Sequence, residues 1–221
     1  EETAWLLELA DRHPLIWGVV GWVDLCGPDL QSQLERFSAY PKFRGVRHVV
    51  QDEPDDEFML RDLFVRGLGA LQAFGLAYDI LVFSRHLPVA CQVVSKFPDQ
   101  PFVLDHIAKP LIKGRQMDPW ASDIRSLAAF PNAVCKVSGM VTEADWHQWQ
   151  PADLRPYLDV VFEAFGPRRI MFGSDWPVCT VAGVYADIVG LVCDYVDTLS
   201  EDEQSAVWAD TAQNFYGLQV P

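Results

Sequence analysis

Short apolar runs alternate with helical segments along the chain, and this alternation limits the fold more than any other feature. Most of the runs are continuously apolar, which is typical of strands that are buried on both faces. Strands that alternate with helices predict right-handed βαβ units and a parallel sheet. The predicted strands are Leu15 to Val23, Phe43 to Val50, Tyr78 to Phe83, Pro101 to Leu104, Ala133 to Val137 and Ile170 to Gly173.

Between and around these runs, apolar residues recur at the 3.6-residue spacing of an amphipathic helix. Asp118 and Pro119 are expected to begin one of these helices as an N-cap and first-turn pair. Ser200 with Glu203 predicts a capping box for the final helix, and Gly217 is expected at its C-cap. The other predicted helical segments are Glu2 to Arg12, Leu30 to Phe37, Asp56 to Phe74, Pro88 to Phe97, Trp120 to Phe130, Leu154 to Phe165 and Val184 to Leu199.

Two architectures fit a parallel sheet, namely an open doubly wound sheet and a closed (β/α)8 barrel. A dinucleotide-binding doubly wound fold requires G-x-G-x-x-G after a strand. The nearest sequence, Gly67-Leu68-Gly69, lies inside a helical pattern and lacks the third glycine. Because polar residues follow several strands rather than one, we predict an α/β fold of the (β/α)8 TIM-barrel type, in one domain of residues 1–221. A full barrel takes ~250 residues, so about six of the eight βα units are expected here.

The charge and cysteine content narrow the choice of partner and compartment. The net charge is −14, from 31 acidic and 17 basic residues. Such a surface repels nucleic acid and anionic membranes, so we expect neither as a partner. The five cysteines show no C-x-x-C spacing, which favours reduced thiols in a cytoplasmic protein.

Candidate functional residues stand where the predicted strands end. Asp175 follows Ile170 to Gly173, which indicates a carboxylate at the C-terminal mouth of a buried strand, the usual position of active sites in α/β enzymes. Alternation of side chains along a strand implies that only one of Asp105 and His106 points inward. The same competition is expected between Arg47 and His48.

The residue types at these strand ends suit hydrolysis of a polar substrate that forms an anion. Asp175 can act as the general base that activates water. His106 can polarise a carbonyl or hold a metal ion. Arginine and lysine side chains can stabilise an oxyanion. Trp176 is expected either to form a wall of the pocket or to pack in the core, and Lys136 to extend its amine towards solvent.

Several motifs resemble those of a known family. They are Phe43-Arg-Gly-Val-Arg-His48, Gln51-Asp-Glu53, Leu104-Asp-His-Ile-Ala-Lys-Pro110, Val137-Ser-Gly139 and Phe172-Gly-Ser-Asp-Trp-Pro177. In type and order they are similar to the sugar-lactonase group of the amidohydrolase-related family, which includes L-fuconolactonase, L-rhamnono-lactonase and the more distant 2-pyrone-4,6-dicarboxylate lactonase. The resemblance implies a distorted (β/α)8 barrel and a hydrolase that opens the ester ring of a sugar-acid lactone.

The resemblance also implies residue roles. Asp175 matches the last-strand aspartate that takes a proton from the attacking water, and His106 matches the histidine that contacts the substrate carbonyl or a metal. Arg47, His48 and Lys109 fall where the group binds substrate oxygens. Members of the group differ in their need for a divalent metal. The expected cofactor is therefore either none or one ion such as Zn, with His106 and Asp175 as its ligands.

The histidine pair that the family carries on its first strand has no counterpart in this sequence, so the six strands correspond by resemblance to strands three to eight. Three hypotheses follow. The first is a hydrolase of a small-molecule lactone. The second is a metal-dependent amidohydrolase or decarboxylase of the same superfamily. The third is an inactive barrel remnant that acts as a binding or scaffold protein, whose open strand edges would favour a homo-oligomer.

Overall fold

The computed structural model describes residues 1–220, and its centre is one sheet of six parallel strands. Each strand pairs with the next one in the sequence, so all crossovers advance in one direction, as in a (β/α)8 barrel. The sheet curls as six strands of such a barrel, which confirms the predicted fold class. The strands are β1 (Val19–Gly21), β2 (Phe43–Val49), β3 (Ala77–Leu81), β4 (Phe102–Leu104), β5 (Ala133–Val137) and β6 (Ile170–Phe172).

Nine α-helices lie in the described residues, and none of them is long and apolar enough to cross a membrane. The predicted capping box is confirmed, because the Glu203 carboxylate accepts hydrogen bonds from the Ser200 backbone N–H and hydroxyl. Gly217 ends the last helix in the left-handed region, at φ 59°. The helices are α1 (Glu2–Arg12), α2 (Leu30–Ser38), α3 (Asp62–Leu71), α4 (Leu87–Lys96), α5 (Trp120–Ala128), α6 (Pro151–Phe165), α7 (Tyr185–Val196), α8 (Glu201–Ser205) and α9 (Thr211–Tyr216).

One predicted helix start, that of α3, and one predicted N-cap, that of α5, are wrong. Helix α3 begins at Asp62 rather than at Asp56, because Arg61 is extended (φ −60°, ψ 136°) and separates α3 from a single 3-10 turn at Phe58–Leu60. Helix α5 begins at Trp120, but the residue before it is Pro119, which offers no side-chain capping bond. Asp118 is therefore not the N-cap, and its peptide bond to Pro119 is cis.

The two faces of the sheet have different surroundings. The outer face and the helices share the main hydrophobic core, in which Tyr78 of β3 packs edge-on against Phe64 of α3 and Phe102 of β4. On the opposite, inner face, a small apolar cluster of one residue each from β4, β5 and β6 packs against α9. The cluster consists of Val103, Val134 and Met171, with Ala212, Phe215 and Tyr216 from α9.

Above this cluster, towards the carboxyl ends of the strands, the inner face carries a buried charge network. Lys136 of β5 lies 2.5 Å from Asp79 of β3 and 2.8 Å from Asp105, which follows β4. Arg47 of β2 donates to the other Asp105 oxygen at 2.9 Å. The Tyr216 hydroxyl of α9 donates to Asp79. Two cations and two carboxylates thus neutralise one another across four strands and the last helix.

The network controls the protonation of its members. Burial would raise the pKa of Asp105, but the Lys136 and Arg47 charges beside it lower that pKa to about 2. Burial opposes the charge on Lys136, yet Asp79 and Asp105 hold the Lys136 pKa well above its usual value. Asp105 and Lys136 are therefore both ionised at neutral pH, inside a part of the protein where an unpaired charge would be costly.

Close packing of α3 leads to a prediction about two helical glycines. A Cβ on Gly67 would lie 2.1 Å from the Leu25 carbonyl oxygen, whereas a Cβ on Gly190 in α7 would meet nothing within 4 Å. We expect Gly67→Ala to lower the free energy of unfolding by about 2–3 kcal/mol because backbone must move. Gly190→Ala should raise it by about 0.5–1 kcal/mol. Urea unfolding of both variants tests this, and equal effects would contradict it.

The charge network leads to a second prediction. Lys136→Met leaves two buried carboxylates with one cation fewer, and we expect it to lower the free energy of unfolding by about 3–5 kcal/mol. The matched control is Lys113→Met, which removes an ion pair with Asp145 between two exposed side chains and should change stability little. Urea unfolding at neutral pH measures both variants.

The loss in Lys136→Met should also depend on pH. Burial already raises the pKa of Asp79 to about 6, and loss of the lysine should raise it further and bring the pKa of Asp105 above the unfolded value of about 3.9. Stability from such groups is present below the unfolded pKa and is lost as pH rises through the folded pKa. The deficit relative to the unmodified protein should therefore grow between about pH 4 and neutrality. A deficit that stayed constant over this range would argue against buried carboxylates as its cause.

Candidate active site

Three strands bring one side chain each to a common site at the carboxyl end of the inner face. His106 follows β4, Ser138 follows β5, and Asp175 follows β6. Ser138 continues the inward alternation of Val134 and Lys136 along β5. The three residues therefore meet directly above the buried charge network, at the end of the strands where catalytic residues of barrel enzymes lie.

Asp175 places its carboxylate against the His106 ring. Its Oδ1 atom lies 3.6 Å from His106 Nε2, and the Asp175 side chain is only 10% exposed. The backbone of Asp175 is left-handed at φ 57°, which turns the chain out of β6. The other oxygen, Oδ2, is buried and makes no hydrogen bond within residues 1–220. Buried carboxylate oxygens are normally paired, so this one is free to accept a proton from a reactant.

His106 reaches the site because the backbone after β4 departs from strand geometry. Residues His106 to Lys109 all have positive φ, from 47° to 58°. The expectation that only one of Asp105 and His106 points inward is therefore wrong. Asp105 points inward by strand alternation, and the left-handed turn then carries His106 over the same face. Asp105 binds Arg47 and Lys136, while His106 faces Asp175.

The His106 ring is enclosed on its other side. Its Nδ1 atom lies 2.8 Å from the Ser138 hydroxyl, and Ser138 is buried. Burial lowers the pKa of His106, although the charges of Asp105 and Asp175 oppose that effect. A neutral imidazole therefore predominates at neutral pH. Neutral His106 can donate a hydrogen bond through one ring nitrogen and accept one through the other.

Arg47 supplies positive charge beside this site. One of its N–H groups binds Asp105, while 42% of the side chain remains exposed. Burial would lower the Arg47 pKa, but the neighbouring Asp105 raises it. The bond to Asp105 thus fixes the Arg47 guanidinium, and its remaining N–H groups are available to donate to an oxygen atom of a ligand.

The other predicted binding residues differ in position. Lys109 is mostly buried, lies 3.4 Å from Glu143, and places its amine 6.0 Å from the centre of the Phe83 ring. Trp176 is 66% exposed. Of the two expectations for Trp176, core packing is wrong, since its side chain lies at the surface beside the site residue Asp175.

His48 lies on the opposite face of β2 from Arg47. Its ring stacks on Phe58, its Nε2 donates to Glu53 at 2.7 Å, and its Nδ1 accepts from the Trp22 indole N–H. These contacts line a cleft of about 450 Å³ between the sheet and α3. The structure therefore brings His106 against Asp175, holds Arg47 on the same face of the sheet through Asp105, and separates His48 from them.

Sequence reasoning missed the residues that support the site. Lys136 was expected to extend towards solvent, but it is buried between two carboxylates. The sequence pattern assigns no role to Asp79 or Tyr216, and it marks Ser138 only as part of the Val137-Ser-Gly139 motif. A signal was available for two of them: Asp79 and Lys136 are single charges of opposite sign inside otherwise apolar strands.

Two side chains at this site could act as ligands of a metal ion. His106 Nε2 and the Asp175 carboxylate are chemically suited to zinc, but no group of three histidine, cysteine, aspartate or glutamate residues within residues 1–220 could hold a metal. Catalytic zinc sites take three ligands from the protein. The described residues alone therefore do not complete such a site.

Known proteins with similar sequences fall into one family. The profile of the amidohydrolase family matches residues 1–218. An L-fucono-1,5-lactonase from Burkholderia multivorans is 43% identical over 232 residues, which cover 100% of this chain and 78% of that protein. An L-fucono-1,5-lactonase from Burkholderia ambifaria is 37% identical and is covered to 77%.

Crystal structures that resemble this fold include members of the same family. An amidohydrolase from Burkholderia multivorans with bound zinc has a TM-score of 0.92 and 42% identity, over 98% of this chain and 79% of that one. A 2-pyrone-4,6-dicarboxylic acid hydrolase homologue from Pseudomonas putida, at 21% identity and a TM-score of 0.77, shares the fold over 99% of this chain and 78% of that one. Matches of this extent, together with the family profile that matches residues 1–218, show that the chain belongs to the amidohydrolase family.

Proposed function

We propose that this protein is a hydrolase that opens the ester ring of a sugar-acid lactone. The observation that carries the proposal is the placement of the Asp175 carboxylate 3.6 Å from the neutral, partly buried His106 ring at the mouth of the barrel. The two Burkholderia relatives named L-fucono-1,5-lactonase support an aldonolactone such as fuconolactone or rhamnonolactone as the substrate class.

The reaction begins when Asp175 accepts a proton from a water molecule that attacks the lactone carbonyl carbon. The carbonyl oxygen becomes an oxyanion, and an N–H donor from His106 stabilises it. The ring C–O bond then breaks, the carbonyl re-forms as a carboxyl group, and the leaving ring oxygen takes up the proton that Asp175 holds. The product is the open hydroxy acid, and Asp175 returns to its ionised form.

Cationic side chains bind the oxygens of the substrate. Arg47, fixed by Asp105, presents its exposed N–H groups to a hydroxyl or to the carboxylate that forms. Lys109 binds a second oxygen, and Trp176 forms a wall over the sugar ring. His48 faces the outer cleft with its partner Glu53, away from a lactone bound between His106 and Asp175.

A substitution of Asp175 tests the proposal. We expect Asp175→Asn to fold normally and to lower kcat for aldonolactone hydrolysis by about 10²- to 10⁴-fold, because the amide cannot accept the proton. The matched control is Asp194→Asn on the exposed face of α7, which should keep full activity. Acid release from several aldonolactones, corrected for spontaneous opening, is the measurement.

Two outcomes of that assay contradict the proposal. Full activity in Asp175→Asn would remove the assigned role of the carboxylate. A lack of turnover in the unmodified protein at high concentration, with binding of a lactone still detected, would favour the alternative of a catalytically inactive binding or scaffold protein.

A metal-dependent amidohydrolase or decarboxylase is the second candidate function. Zinc in the 42% identical Burkholderia multivorans structure favours it, as do the nitrogen and oxygen donors that His106 and Asp175 place near one another. A bound divalent ion would act as a Lewis acid on the substrate carbonyl. His106 and Asp175 would then be two of its ligands.

Removal of metal separates the two candidates. Under the first proposal, activity should survive prolonged dialysis against a chelator, and elemental analysis of the purified protein should show a zinc content well below one ion per chain. Activity that is lost with chelator and restored by Zn²⁺ would instead support the metal-dependent candidate, with His106→Gln reducing the bound zinc.

Two further properties are part of the proposal. The five cysteines are free thiols, a state typical of reducing compartments, and this supports a cytoplasmic location. We also propose self-association of the chain as a homo-oligomer. The partner of the site itself is a small molecule.

A further inference from the structure

We infer that Ser138 is a positioning residue that holds neutral His106 in the tautomer with its proton on Nε2, the nitrogen that faces Asp175. This inference concerns the same site as the proposed hydrolase, and its kinetic consequence rests on that function. The tautomer itself is a property of the folded chain and can be measured without any substrate.

The hydroxyl of Ser138 has one available acceptor. Ser138 is 3% exposed, and its Oγ has no hydrogen-bond partner among residues 1–220 other than His106 Nδ1, at 2.8 Å. A buried hydroxyl proton without an acceptor is costly, by about 1–3 kcal/mol. The O–H therefore donates to Nδ1, which must be the unprotonated nitrogen. In a neutral imidazole the ring proton is then on Nε2.

Two glycines make this arrangement possible. A Cβ on Gly139 would lie 2.8 Å from His106 Cβ and 3.0 Å from Nδ1, so only glycine lets the ring approach Ser138. Gly139 also has φ 63°, a conformation that favours glycine. A Cβ on Gly173 of the neighbouring strand end would lie 3.0 Å from Ser138 Cβ and 3.3 Å from its Oγ. Gly139 therefore leaves room for the His106 ring, and Gly173 leaves room for the Ser138 side chain.

The tautomer decides which kind of hydrogen bond His106 makes in the site. With the proton on Nε2, His106 presents a donor towards the space beside Asp175, where the lactone carbonyl oxygen becomes an oxyanion. With the proton on Nδ1, it would present a lone pair that repels the same oxyanion. Ser138 contacts neither substrate nor Asp175 in this scheme, and it acts only through the ring of His106.

The test is ¹⁵N NMR of the histidine side chains in protein that has been dialysed against a chelator. The chain has five histidines, and the His106 signals are identified by their loss in His106→Gln. We expect the Nε2–H form of His106 in the unmodified protein and a mixture of both tautomers in Ser138→Ala. Ser138→Thr, which keeps a hydroxyl, should restore the Nε2–H form. Ser126→Ala on the exposed surface of α5 is the control and should change nothing.

The kinetic arm uses the same variants on an aldonolactone. Ser138→Ala should lower kcat by about 10- to 100-fold, the usual effect of losing a partner that orients a catalytic group. KM should stay nearly constant, since Ser138 does not touch the substrate. If Ser138→Ala does not fold, Gly173→Ala should shift the tautomer in the same direction, because its methyl group displaces the Ser138 hydroxyl.

Two results would overturn the inference. One is an Nδ1–H tautomer in the unmodified protein, and the other is an unchanged tautomer in folded Ser138→Ala. If the unmodified protein shows the Nε2–H form and Ser138→Ala disturbs it while no lactone is hydrolysed, the proposed function fails and the positioning role of Ser138 stands.

Discussion

The rest of the structure depends on one interaction, the pairing of Lys136 with Asp79 and Asp105 inside the barrel. Apolar residues fill the inner face below this point, but above it the strands carry charges that must be neutralised before they can be buried. The network fixes Asp105, Asp105 fixes Arg47, and the chain that follows Asp105 turns directly into His106. The residues that neutralise the charges of the interior therefore also position the reactive groups at the carboxyl ends of the strands.

The site above the network separates the tasks of an ester hydrolase among different strands. The last strand provides a carboxylate with one unpaired oxygen, β4 leads to a neutral imidazole, and β2 provides a guanidinium. His106 and Arg47 are each supported by a neighbour that does not itself face the substrate, namely Ser138 and Asp105.

Much of this arrangement was predictable from the sequence, and the exceptions have physical causes. The apolar runs predicted the six strands, and the capping box at Ser200 predicted the start of α8, because both depend on local residue patterns. The inward turn of His106 was not predictable by alternation, since four consecutive residues adopt positive φ. The ion pairs of Lys136 could not be assigned either, because their partners lie 31 and 57 residues away and only the curvature of the sheet brings them close.

Helix α9 gives the network a link to the other end of the sequence. The Tyr216 hydroxyl donates a hydrogen bond to Asp79, a residue 137 positions earlier in the sequence. The neighbouring Phe215 packs against the apolar cluster on the inner face. During synthesis on the ribosome, all six strands emerge before this tyrosine does. Asp79 therefore has Lys136 as its partner but lacks the Tyr216 hydrogen bond until α9 has been made.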